Sequence, residues 1–131
     1  MKLFIYIIIA VVSVSCFKTG KNEYYVILTG PVEISHAEIP DTVDNMGLAQ
    51  IKANAQAYDE CWSNLNFTLT KANDFEYSLQ AFGLYESYGI CPEMMIYGDT
   101  TIAFQPTKTG LYKFNIYKSP NDIEIDTMIV R

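Results

Sequence analysis

Leu65-Asn66-Phe67-Thr68-Leu69-Thr70, Lys71-Ala72-Asn73-Asp74 and Phe75-Glu76-Tyr77-Ser78-Leu79-Gln80-Ala81 follow one another without a gap, and this stretch decides the fold. Apolar residues fall at every second position in the outer two segments, the period of a strand buried on one face. The middle segment holds the polar residues that favour a turn. Leu65, Phe67 and Leu69 thus form one inward set, and Phe75, Tyr77, Leu79 and Ala81 the next.

Downstream the same grammar repeats. Residues 82–92 read as a longer connection carrying Gly83, Gly89 and Cys91. Residues 94–104 follow, broken by Gly98-Asp99, with Ile102 and Phe104 inward. After a turn at 106–110, Tyr112, Phe114 and Ile116 alternate with Lys113 and Asn115. Ser119-Pro120-Asn121 turns again, and Ile123, Ile125 and Ile129 are expected inward, opposite Asp122, Glu124 and Asp126.

Upstream, residues 46–58 fit two periods. Ala49, Ile51, Ala53, Ala55 and Ala57 alternate with polar residues, whereas Leu48, Ile51, Ala55, Tyr58 and Trp62 fit a helical stripe. The strict alternation and strand-like neighbours favour strand. In residues 32–39 the parity changes, Val32 and Ile34 on one face and Ala37 and Ile39 on the other. Such a switch marks a kink where a first strand crosses between sheets. Residues 24–28 form a β-rich run closed by Gly30-Pro31. Seven or eight short strands with turn signals between them predict an all-β sandwich.

The first residues are different. Lys2 precedes an apolar run over 3–12 and small residues Ser13, Val14 and Ser15 lead to Cys16. This is the order of a secretory signal, and the run is too short for a membrane span. The end of the stretch resembles the bacterial lipobox, with Ser13 where an aliphatic residue is usual. The resemblance implies a cleaved signal over 1–15, lipid on Cys16, a tether over 16–23 and a domain over 24–131. Localisation would then be the cell envelope, at the outer membrane on its periplasmic or surface side. With Cys16 acylated, Cys61 and Cys91 remain of the three cysteines, and an oxidising compartment favours a disulfide over two separate thiols.

Fifteen Asp and Glu outnumber nine Lys and Arg, giving a net charge of −6. A nucleic-acid partner is excluded on that balance, because phosphate binding needs clustered cations.

Two stretches resemble immunoglobulin-type sandwiches. Thr109-Gly110-Leu111-Tyr112 looks like the tyrosine corner, with Tyr112 as the structural residue. Glu38-Ile39-Pro40-Asp41-Thr42-Val43 looks like the first strand and turn of bacterial immunoglobulin-like modules. Phe114 stands where the antibody pattern has its second cysteine, so a Cys61–Cys91 bridge would not be the inter-sheet bond of antibodies. The implied fold is an immunoglobulin-like β-sandwich of antiparallel strands. The whole chain is similar to short lipoproteins of the Bacteroides group. In that setting Asp41-Thr42-Val43, Asp99-Thr100-Thr101 and Asp126-Thr127-Met128 match an O-glycosylation sequon, making Thr42, Thr100 and Thr127 candidate acceptors.

Catalytic chemistry has few residues to draw on. His36 is the single histidine, without a marked nucleophile or acid beside it. Zinc would need more His or Cys ligands, and neither a phosphate loop nor a metal-loop spacing of carboxylates occurs; the expectation is no cofactor and no metal. Trp62 is the residue to follow. Counting back from Phe67 and Leu65, it faces outward, where with Tyr85 and Tyr88 it would make an aromatic platform. The favoured reading instead packs it over the disulfide as core. The expected function is therefore non-enzymatic protein contact at the envelope, with a carbohydrate-binding module second and a small hydrolase third.

Overall fold

The computed structural model describes residues 25–44 and 47–131. The expected signal, the expected lipid acceptor Cys16 and the expected tether lie outside them. Among the described residues the strands are β1 (Val26–Glu38), β2 (Thr42–Val43), β3 (Ala49–Ala57), β4 (Trp62–Asn73), β5 (Glu76–Ser87), β6 (Ile96–Phe104), β7 (Gly110–Ser119) and β8 (Asp122–Val130). The fold is all-β, as the alternation predicts.

The strands make one curled sheet in the order β2-β8-β7-β5-β1-β3-β6, with β4 on β5 off that path. It is mixed, which corrects the expectation of antiparallel pairing throughout: β5 runs parallel to β7, and β2 parallel to β8. The cause is the pairing of β7 with the second arm of the β4–β5 hairpin. That arm already runs opposite to β4, so it meets β7 head to head. β7 pairs with residues 76–79 of β5 and β1 with residues 81–87, end to end along one edge.

β1 joins the two halves of the curl. Val26 to Val32 pair with β5, and Glu33 to Glu38 pair with β3. A one-residue bulge between Ile34 and His36 keeps Ile34 and then Ala37 against the core, the parity switch visible in the sequence. Gly30-Pro31 does not close a strand but lies inside β1, just before it changes partner. Proline has no N–H to donate and is tolerated where pairing changes.

β3 is a strand. Ala49, Ile51, Ala53, Ala55 and Ala57 are all buried, and the four alanines leave room for aromatic rings from the facing half and from β6. Tyr77, Phe104, Tyr112 and Phe114 fill that room, with Tyr77 and Phe104 edge to face at 4.8 Å and Phe104 and Phe114 at 5.5 Å. Burying such a side chain contributes about 1.5–3 kcal/mol. Leu79, Ile116, Met128 and Val130 complete this core.

Three expectations are overturned. β5 continues through Gly83 to Ser87, so the connection covers only 88–95. β6 passes unbroken through Gly98, whose missing Cβ would lie 2.8 Å from Leu65 Cβ; the glycine lets β4 and β6 approach. On β8 the inward residues are Met128 and Val130, while Ile123, Ile125 and Ile129 are exposed. A bulge between Tyr117 and Ser119 causes the reversal. Carried straight from Ser119↔Asp122, the hairpin would oppose Ile116 to Ile125. With one extra residue in β7, Ile116 opposes Glu124 and Asn115 opposes Ile125.

Candidate functional site

β4 begins at Trp62, and its first residues are out of step with the rest. Trp62 pairs with Tyr85 and Ser63 with Leu84, but Asn66 pairs with Phe82. The extra residue sits at a bulge around Asn64, which has φ of 50°, a left-handed conformation that asparagine tolerates. The bulge turns Trp62 onto the same face as Phe67, so it does not point outward as straight counting expects. Its ring crosses two glycines paired across β1 and β5, Gly30 and Gly83. A Cβ on Gly83 would lie 2.9 Å from Trp62 Cε3, and one on Gly30 3.3 Å from Cη2. Both glycines are therefore seats for the indole.

The expected trio is only partly assembled. Trp62 and Tyr85 meet edge to face at 5.2 Å. Tyr88 is exposed and pairs with Tyr25 at 4.7 Å instead, because β5 carries Tyr85 in its strand while Tyr88 lies beyond its end. Burial and the neighbouring Glu86 push the Tyr25 phenol up from its ordinary value.

Cys61 and Cys91 form a disulfide with their Cα atoms 5.4 Å apart. It ties the β5–β6 connection to the start of β4, helped by Glu86 N–H donating to Cys61 C=O at 2.9 Å and Glu60 N–H to Pro92 C=O at 3.0 Å. A bridge across 30 residues contributes about 3–4 kcal/mol in the chain-entropy account. The Tyr85 hydroxyl lies 3.0 Å from Cys91 Sγ and the Ser87 hydroxyl 3.3 Å. An Asp59 carboxylate oxygen and both sulfurs fall within 4.8 Å of one another, but the bridge leaves no thiolate to ligate a metal.

Beside Trp62 opens a cleft of about 300 Å³, which also takes in Glu33, Gln56, Tyr58, Asp59 and the Ser119-Pro120 turn. Glu33 and Gln56 oppose each other across β1 and β3, and Gln56 Nε2 donates to Glu33 Oε1 at 3.0 Å. The Tyr58 hydroxyl donates to the other Glu33 oxygen and accepts from Gln56 Nε2 at 3.3 Å. The Glu33 hydrogen bond raises the Tyr58 phenol above its usual value. Sequence reading missed Glu33, Gln56 and Tyr58 because only the β1 crossover brings them beside Trp62.

The remaining candidates are dispersed. Thr42 and Thr127 are exposed on β2 and β8, whereas Thr100 is half-buried on β6 opposite Ala53. Tyr112 is fully buried; its hydroxyl donates to Lys108 C=O at 2.9 Å and accepts from Lys108 N–H at 3.1 Å. His36 is exposed on β1.

A second feature lies on the outward face of the β7–β8 hairpin. Leu111 pairs with Ile129, Asn115 with Ile125 and Tyr117 with Ile123. Leu111 and Ile125 are each 59% exposed, Ile123 46% and Ile129 44%. No protein-family model, curated protein or solved structure matches this chain.

Proposed function

We propose that the chain is a non-enzymatic, lipid-anchored envelope protein whose domain, a variant of the immunoglobulin-like sandwich, binds another envelope protein through the β7–β8 hairpin. The observation that supports this is the stripe of Leu111, Ile123, Ile125 and Ile129 facing solvent. A sheet face in water is ordinarily polar; here the exposed aliphatics lie on either side of the Lys113–Thr127 pair, and such a surface favours a partner. With a net charge of −6 the chain is repelled by an anionic bilayer, which is a poorer fit than a protein. The resemblance of residues 13–16 to a bacterial lipobox supports the tether, and the shared β1 and the Tyr112 corner support the immunoglobulin-like reading, with β5 in place of β4 beside β7.

The test is crosslinked affinity capture from the native envelope with the full chain and with Leu111→Lys/Ile125→Lys. A partner recovered by the natural protein and lost by a variant of unchanged melting is the expected result. The same partner on both, or none on either, contradicts the reading. Mass spectrometry of the mature N-terminus is expected to find acylated Cys16; an unmodified terminus downstream would make the protein freely secreted.

A further inference from the structure

The cleft beside Trp62 combines features that a hydroxyl-rich ring requires. One wall is an indole whose position is set from behind by Gly30 and Gly83, so it does not have to reorganise on binding. The same cleft is lined by a carboxylate, a primary amide and a phenol, already joined to each other: Glu33, Gln56 and Tyr58. Such a network holds its members in place while leaving carboxylate lone pairs and the amide oxygen as acceptors for a ligand's hydroxyls. Its volume, about 300 Å³, lies at the small end of ligand sites, suited to one ring rather than an extended chain. The bulge at Asn64 and the β1 crossover place Trp62, Glu33 and Gln56 on paired strands, while Tyr58 and Asp59 follow the end of β3 in its connection to β4.

We propose that this cleft is a saccharide subsite, in which the C–H face of one neutral pyranose ring lies on Trp62 and its hydroxyls pair with Glu33, Gln56 and Tyr58. Glu33 and Asp59 both border the cleft, so acidic sugars are repelled and uncharged ones accepted. This surface is separate from the Leu111–Ile125 stripe, and its occupancy does not depend on a protein partner.

Trp62 is the sole tryptophan, so its emission reports on the cleft directly. Cellobiose, maltose and N,N′-diacetylchitobiose, titrated into the folded protein, serve as probes, with glucuronic acid as the anionic control. At least one neutral disaccharide is expected to give a saturable change, with half-saturation on the order of 1 mM. Glu33→Ala, at a half-buried side chain, and Tyr58→Ala, at an exposed one, are each expected to weaken it at least about tenfold in a protein that still unfolds in one cooperative transition. Absence of saturation with all three disaccharides, equal response in the variants, or equal saturation by glucuronic acid would each overturn the proposal.

Discussion

Tyr112 and Asp74 show how much single residues carry here. The Tyr112 hydroxyl holds both backbone groups of Lys108 from a fully buried position, and Phe75 packs across its ring at 5.2 Å. Tyr112→Phe keeps the packing and leaves the Lys108 carbonyl and N–H without that partner. We expect a loss of about 1–3 kcal/mol in urea unfolding; a variant of wild-type stability would show that the corner is dispensable. Asp74 sits between Lys108 and Lys71, whose hydrogen bonds and charges hold its carboxyl at about 2 against an ordinary 3.8. A depressed folded-state value contributes stability that is complete above 3.8 and is lost as pH falls toward 2. The urea midpoint of Asp74→Asn should therefore converge on that of the natural protein through this window. A difference that persists unchanged at pH 2 would contradict the assignment.

At the scale of elements, one-residue bulges decide which face of a strand is inside, and they explain what the sequence could reveal. Alternation was legible wherever a strand ran straight, as in β3 and in Leu65 to Leu69. The β1 bulge was legible too, because apolar residues flank it on both sides: Ile34 before, Ala37 and Ile39 after. The bulge in β7 was not, since Lys118 and Ser119 beside it are polar, and in β4 the spacing of Trp62 and Leu65 reads equally as Trp62 on the outer face of a straight strand. Hence Trp62 and the isoleucines of β8 both came out on the opposite face from straight counting. The two glycines under Trp62 likewise read as loop punctuation, although they are seats for a ring. Gly83→Ala should thus overpack against Leu65 Cδ2 and Trp62 Cε3, at 2.8 and 2.9 Å. A cost of about 1–3 kcal/mol and a shifted Trp62 emission are expected. Wild-type stability and emission would show that the indole is not seated there.

For the whole molecule, the curl gives each part a separate task. The β3–β6 half and the β5–β7–β8 half enclose the aromatic core, the disulfide fastens the β5–β6 connection, and the hairpin formed by β7 and β8 turns its aliphatic stripe outward. That stripe exists because of the bulge at Lys118, where Lys118 Nζ meets Glu124 at 3.0 Å and donates to Ser35 C=O at 3.3 Å. Keeping acidic side chains on the inner face of β8 and isoleucines on the outer one has no evident benefit to an isolated domain. A partner surface supplies the benefit. The most direct measurement is site-specific photocrosslinking of the full chain in its own envelope, with the probe at Ile125 or at Thr68 on the outward face of β4. A discrete protein adduct at Ile125 and none at Thr68 is the predicted result; no adduct at Ile125, or equal adducts at both, would contradict it.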